Sequence, residues 1–155
     1  MNKKMLKEAI KKGNGFTIIE VALVLAIAGL IFLVVFLALP ALQNSQKDTA
    51  TREAVGKVVS GLESYYSDNQ GTNASTAANI TTVGGYVGTL SNGLTISLAS
   101  TSTAGAVPGG ASKTNIAISA PGFTCGSAGQ LATGNSSNQA AVVQLQSGSY
   151  YCANM

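Results

Sequence analysis

The chain has 155 residues, of which 46% are hydrophobic, 10% are charged and 6% are aromatic, and its formal net charge is +3. Ordinary globular domains carry about 25% charged residues, so much of this chain is built for an apolar environment or from uncharged polar residues. The sequence contains neither histidine nor tryptophan. The lack of histidine excludes Ser-His-Asp triads, histidine acid–base catalysis and imidazole metal sites.

The basic charge is confined to the start of the chain. Residues 1–15 contain five lysines and one glutamate, a net charge of +4, and the rest contains four basic and five acidic residues, a net charge of −1. A lysine-rich segment beside a hydrophobic stretch is typical of a cytoplasmic flank under the positive-inside rule. No basic patch occurs elsewhere in the sequence, so a nucleic-acid partner is not indicated.

A long apolar segment follows. Between Phe16 and Lys47 the only charged residue is Glu20, and residues 21–39 are almost wholly Val, Leu, Ile, Ala and Phe. A helix of about 20 such residues spans the hydrocarbon core of a bilayer. The apolar region of a cleaved signal peptide is shorter, about 7–15 residues, and ends at a small-residue cleavage site. The sequence therefore predicts a membrane helix over residues 16–42, with a cleaved secretory signal as the alternative.

The helical pattern continues past the apolar segment. Over residues 43–68, apolar residues recur at three- and four-residue spacing on one face and charged residues lie on the other. The apolar stripe comprises Ala54, Val55, Val58, Val59, Leu62, Tyr65 and Tyr66. We predict one helix from about Thr17 to Tyr66, with a kink or a melted turn at Pro40, because proline removes a backbone donor and clashes with the preceding turn. The acids of the amphipathic half are expected to face solvent: Asp48, Glu53, Glu63 and Asp68.

The amphipathic helix and the β-rich residues 69–155 form a predicted head. Short segments at 81–90, 94–98, 114–119 and 141–146 are predicted strands. Asn92-Gly93, between the first two, is a hairpin signal, and the low-complexity stretch 100–112 is a predicted surface loop. The expected fold class is therefore α+β: a long N-terminal helix, half membrane-spanning and half amphipathic, packed on a small antiparallel β-sheet.

The two cysteines, Cys125 and Cys152, lie in the last fifth of the chain. Because the chain has no histidine and no CxxC pattern, a zinc site is not indicated, and neither metal nor cofactor is expected. Two buried thiols are one possibility. If the membrane segment places the head outside the cell, a disulfide is favoured. It would close a loop of about 28 residues and stabilise the head by roughly 3–4 kcal/mol.

Residues 15–20 (GFTIIE), after a lysine-rich leader and before an uncharged helix, resemble the class III signal of type IV prepilins. The long helix, the β-sheet head and the C-terminal cysteine loop extend the resemblance over the whole chain. It implies that a membrane-embedded prepilin peptidase cleaves between Gly15 and Phe16, removes the leader 1–15 and N-methylates Phe16. It further implies that an inner-membrane assembly platform transfers subunits from the cytoplasmic membrane into an extracellular helical homopolymer. Pro40 lies slightly later than the helix-breaking proline of many family members.

Glu20 is the predicted determinant of assembly register. Cleavage after Gly15 creates an α-amine on Phe16, which N-methylation leaves cationic and which lies about one helical turn before Glu20. In a filament, the amine of the same or a neighbouring subunit would offset the cost of burying the carboxylate. Buried charge pairs of this kind are better attested for specifying register than for adding stability. The simpler alternative is that Glu20 is an acid in the first helical turn, favoured by the helix dipole.

Three other functions compete with a pilus subunit. A pseudopilin of a type II secretion or DNA-uptake system would share the leader and the helix, although the Cys125–Cys152 loop favours a pilin. A membrane-anchored adhesin that never polymerises predicts an intact leader or cleavage near residue 40. An enzyme is the least favoured class, because the head contains no histidine, no paired carboxylates and no nucleophile motif.

Overall fold

The computed structural model describes residues 15–155, so the predicted leader 1–15, apart from Gly15, lies outside the described residues. The chain divides into two compact units, Met1–Ala41 and Leu42–Met155. The fold is α+β, as predicted. Its helices and strands, in chain order, are α1 (Ile18–Asp68), α2 (Ala77–Val87), β1 (Thr95–Leu98), β2 (Asn115–Ile118), β3 (Phe123–Cys125), β4 (Leu131–Thr133), β5 (Ala140–Gln144) and β6 (Tyr150–Asn154).

Helix α1 contains 51 residues and confirms the helix predicted over residues 17–66. Its first half, residues 18–41, belongs to the first unit, and its second half, residues 42–68, belongs to the second. The helix is assigned without interruption through Pro40, and the kink there stays a prediction. In the second half the predicted apolar stripe packs into the head, because residues three and four apart share one face of a helix. Its fully or nearly buried members are Ala54, Val55, Val58, Leu62 and Tyr65.

The segment predicted as the first strand, residues 81–90, is mostly helical, so this prediction was wrong. Helix α2 spans Ala77–Val87 and is capped by the hydroxyl of Thr76. The β-branched residues of the segment favour a strand by propensity. However, Ile80 and Val83 lie three residues apart and both pack into the core that contains the α1 stripe. Tertiary packing of one apolar face therefore overrides the local propensity.

The predicted hairpin at Asn92-Gly93 is also wrong, because α2 and not a strand precedes it. The backbone does turn at these residues: Asn92 and Gly93 have positive φ values of 61° and 65°. Both residues lie in a short 3-10 turn, Ser91–Gly93, after which the chain enters β1. Residues that tolerate positive φ thus mark a turn, but they do not determine which element comes before it.

Four strands form the main sheet in the order β1-β2-β5-β6, and β3 and β4 form a separate antiparallel pair. Strands β2 and β5 pair antiparallel, as expected for the predicted sheet, and β5 also pairs antiparallel with β6, but β1 pairs parallel with β2. Two adjacent parallel strands require a crossover of a dozen or more residues, and residues 99–114, which include the predicted loop 100–112, supply it. The main sheet is therefore mixed. Strands β3, β4 and β6 were not predicted.

The main sheet has a core on each face, because successive side chains of a strand point to opposite sides. In β5, Ala141 and Val143 pack into the core formed with α1 and α2. Ala140 and Val142 pack into a second core around Leu131 of β4. The sequence predicted only the core on the helix side. The second core is small, and strands β3 and β4 and part of the 99–114 crossover cover it.

Of the four acids expected to face solvent, Glu53, Glu63 and Asp68 are exposed and Asp48 is half-buried. Asp48 and Asp68 also accept hydrogen bonds within the head. The carboxylate of Asp48 accepts a 2.6 Å hydrogen bond from the amide of Gln146, in the turn between β5 and β6. The carboxylate of Asp68 accepts a 2.6 Å hydrogen bond from the hydroxyl of Tyr86 in α2. This bond raises the pKa of Tyr86 above its ordinary value. These contacts tie the second half of α1 to a sheet turn and to α2.

Candidate functional site

The three described residues that precede α1 are exposed. Gly15, Phe16 and Thr17 come before the first helical residue, and the side chain of Phe16 is 87% exposed. The φ of Gly15 lies outside the left-handed region, and a Cβ placed on Gly15 would meet no atom within 4 Å. Neither the backbone conformation nor crowding by the described residues therefore requires glycine at this position. A requirement for glycine there would have to come from outside the described residues 15–155.

Glu20 and Thr17 cap the start of α1 reciprocally. The amide and the hydroxyl of Thr17 both donate to Oε2 of Glu20, at 2.9 and 2.8 Å. The amide of Glu20 donates to Oγ1 of Thr17 at 3.3 Å. This arrangement is a capping box, in which two free backbone donors of a helix N-terminus are satisfied by the two side chains. Glu20 is thus an acid of the first helical turn, as the simpler alternative holds, and its pairing with an amine on Phe16 stays a prediction.

Thr17 is the residue of this site that the sequence reasoning missed. A threonine followed three residues later by a glutamate, just before an apolar run, is the sequence signature of a capping box. The signal was therefore present in residues 15–20. Both hydrogen bonds to Glu20 use Oε2, and no residue within the described range 15–155 donates to Oε1. One carboxylate oxygen is consequently available to a further donor.

The first half of α1 presents an apolar surface. Its large apolar side chains between Val21 and Leu39 are all exposed, from 44% at Leu39 to 75% at Phe36 and Leu37. An 18-residue window of the helix has a mean hydropathy of 3.2, and none of that window is buried. The helix is long and apolar enough to cross a membrane and is compatible with membrane anchoring. Soluble monomers rarely expose so large an apolar patch, so lipid or another protein must cover it.

The expected disulfide is present. Cys125 in β3 and Cys152 in β6 are bonded, with their Cα atoms 5.7 Å apart and a sequence separation of 27. The bond lies beside the second core of the main sheet and joins that sheet to the β3–β4 pair. Its position is that of a structural crosslink in the head.

A metal site is not indicated in the part of the chain that the structure describes. Among residues 15–155, no group of three or more His, Cys, Asp or Glu side chains is placed to hold a metal ion. No family model matches the chain, and comparisons with curated proteins and with solved structures give no match either. The capped N-terminus of α1 and the apolar surface that follows it are therefore the candidate functional site.

Proposed function

We propose that this chain is a type IV prepilin, the precursor of a structural filament subunit. The prepilin peptidase cleaves after Gly15 on the cytoplasmic side and N-methylates Phe16. The mature subunit is held in the cytoplasmic membrane by the first half of α1, and the assembly platform then transfers it into an extracellular pilus. One observation carries the proposal. A single carboxylate, Glu20, stands at the start of an exposed apolar helix, five residues after a glycine that the described residues 15–155 do not require.

Cleavage of the leader would supply the positive charge that Glu20 lacks. Hydrolysis of the bond between Gly15 and Phe16 consumes one water, leaving a carboxylate on Gly15 and an ammonium group on Phe16. N-methylation replaces one N–H by N–CH₃ and keeps the positive charge. An ionised carboxylate within a membrane helix costs about 2.5–3.5 kcal/mol on insertion scales. The capping box gives Glu20 hydrogen bonds but no opposite charge, whereas the new amine can donate to Oε1 and balance the charge.

The charge pair also gives the polymer a register. Burial of apolar surface is non-directional, so the first halves of neighbouring α1 helices could pack at many axial offsets. A carboxylate that must meet an amine restricts those offsets, and buried charge pairs are best attested in this role. Processing and assembly are therefore coupled, because the amine exists only after the leader has been removed.

The processing step is tested with two glycine variants. Gly15→Val and Gly29→Val both replace a glycine whose added Cβ would meet no atom within 4 Å, so neither is expected to disturb the fold. Intact-mass measurement of the membrane-purified protein should show a chain that begins at N-methylated Phe16 in the wild type and in Gly29→Val. Gly15→Val should retain the leader. A wild-type chain with an intact leader, or one cleaved near residue 40, would instead support the anchored adhesin.

The role of Glu20 is tested with Glu20→Gln and Glu20→Ala. Glutamine can still accept the amide hydrogen bond of Thr17, since Glu and Gln both serve in capping boxes, but it carries no charge. Both variants should be cleaved and have folded heads, and both should form few or no filaments by electron microscopy of cells and sheared fractions. Normal filaments from Glu20→Gln alone would show that capping suffices. Normal filaments from both variants would show that assembly does not require Glu20.

A pseudopilin is the second candidate function, since the features of residues 15–42 would be the same in both. Deletion of the gene separates the two proposals. Loss of long surface fibres supports a pilin, whereas a secretion or DNA-uptake defect in cells that never carried fibres supports a pseudopilin. Complementation with the wild-type chain should restore the lost phenotype in either case.

A further inference from the structure

The main sheet has an open edge at β1. Strand β1 is the first in the order β1-β2-β5-β6, so only one of its sides is paired. On the side that faces β2, the amide of Thr95 donates a 3.0 Å hydrogen bond to the carbonyl of Thr114. The amide of Ala99 donates a 2.7 Å hydrogen bond to the carbonyl of Ile118. Because backbone groups alternate in direction along a strand, the amides and carbonyls of Ile96 and Leu98 point away from β2. Within the described residues 15–155 these groups form no hydrogen bond.

The opposite edge of the main sheet is protected. Strand β6 is linked to β3 by the Cys125–Cys152 disulfide. The backbone at Gly129 lies so close to Tyr150 that a Cβ added there would clash with it. Natural sheets commonly cover or blunt their edges, since unpaired edge groups bind other strands. The head therefore covers one edge and leaves the other accessible.

A groove with a volume of about 540 Å³ lies between the β1 edge and α2. Its walls are strand β1 and four residues of α2: Ala77, Ile80, Thr81 and Gly84. None of these lining residues carries a charge. A Cβ added to Gly84 would meet no atom within 4 Å, so the wall at this point is open and can accept a side chain.

We propose that this groove binds an extended, uncharged segment of a partner protein, which adds to the main sheet as a strand beside β1. The unpaired groups of Ile96 and Leu98 select a strand, because a helix satisfies its own backbone groups and a lipid chain has none to offer. Charge complementarity selects an uncharged segment, since a charged one would be desolvated without a counter-charge. Alternate side chains of the added strand would point towards α2.

This inference concerns the head alone and does not depend on filament formation. The probe is an eight-residue peptide of alternating valine and threonine, acetylated and amidated at its ends. It is added to the full chain in detergent micelles, and hydrogen exchange of individual amides is followed by NMR. At a peptide concentration near ten times Kd, exchange at Ile96 and Leu98 should slow about tenfold, because only the free fraction exchanges.

Two neighbouring glycines provide the matched variants. Gly84→Leu places a side chain in the groove, whereas Gly85 is not part of its wall. A Cβ at either position meets no atom within 4 Å, and both changes raise helix propensity equally. Gly84→Leu should weaken peptide binding at least about tenfold, as expected when hydrogen bonds at the edge are lost. Gly85→Leu should bind like the wild type.

A peptide with proline at two threonine positions lacks donors there and should not protect the amides. Equal binding of this peptide, or equal weakening by both glycine variants, would overturn the proposal. Protection of Ile96 and Leu98 without peptide, rising with protein concentration, would identify a second copy of the chain as the occupant. That result would also overturn the proposed foreign partner.

Discussion

The two halves of α1 differ in what covers their apolar side chains. In the first half, large apolar side chains from Val21 to Leu39 are at least 44% exposed, whereas Val55, Val58 and Leu62 in the second half are at most 1% exposed. The sheet and α2 cover the second half, so its burial stabilises the head at roughly 25 cal/mol per Å² of apolar surface. None of the described residues covers the first half, so it can gain the same free energy only from lipid or from another protein. The half of α1 that stabilises the head is thus distinct from the half whose apolar surface the head leaves uncovered.

The comparison is tested most strongly by two leucine variants. Leu62→Ala should destabilise the head by about 2–5 kcal/mol, because it leaves a cavity in a packed core. Leu33→Ala, in the first half, should change the unfolding free energy of the head by less than about 0.5 kcal/mol. Urea denaturation of the full chain in detergent micelles, followed by tyrosine fluorescence, measures both. Similar losses in the two variants would mean that the first half also supports the folded head.

The disulfide should have the next largest effect. The second core contains only Leu131, Ala140 and Val142 as fully buried apolar residues, so the crosslink beside it matters for stability. Replacing Cys125 and Cys152 together by serine should destabilise the head by about 3–4 kcal/mol in the chain-entropy model. Thermal unfolding with and without reductant measures the effect. Reductant should lower the wild-type Tm and leave that of the double variant unchanged, and an insensitive wild type would contradict the prediction.

Asp48 should contribute less to the unfolding free energy of the head than Leu62 or the disulfide. Its carboxylate accepts a hydrogen bond from the backbone amide of Gln146. Asp48→Ala should cost about 1–2 kcal/mol after the gain in helix propensity is subtracted. Glu53→Ala, an exposed acid on the same half of α1, is the matched control and should change stability by less than about 0.5 kcal/mol. Chemical denaturation of the two variants compares them, and equal midpoints would mean that Asp48 does not hold the β5–β6 turn.

Helix α1 was predictable because its sequence signals are long. The apolar run and the stripe through Val58 and Leu62 repeat over many turns, and both define α1. Strands β1, β2 and β5 were predicted from their short apolar segments, whereas α2, β3, β4 and β6 were not. The segment of α2 carries β-branched residues, and only its packing through Ile80 and Val83 makes it helical. Strands β3 and β4 have three residues each, too few for an alternation to be recognised, and the second core depends on them.

The candidate site was predictable in its composition but not in its geometry. Gly15, Phe16 and Glu20 form a local pattern that the sequence displays directly. The bonding of Glu20 to Thr17 was not predicted, because neither a charge that needs a counter-charge nor an acid favoured by the helix dipole requires Thr17 as a partner. The contacts of Asp48 with Gln146 and of Asp68 with Tyr86 join residues far apart in the chain. No local pattern in the sequence indicates them.

Tyr86 provides the smallest and most specific test of how the second half of α1 is joined to α2. Its hydroxyl donates to Asp68, and this bond raises the pKa of Tyr86 above its ordinary value of 10.0. The contact is therefore fully present below pH 10.0 and is lost as the pH rises through the raised pKa. An ultraviolet titration of tyrosinate should contain a late step that Tyr86→Phe removes and that Asp68→Asn moves to lower pH. Because Tyr86 is exposed, Tyr86→Phe should leave the denaturation midpoint almost unchanged. A late step that persists in Tyr86→Phe would belong to another tyrosine and would contradict the raised pKa of Tyr86.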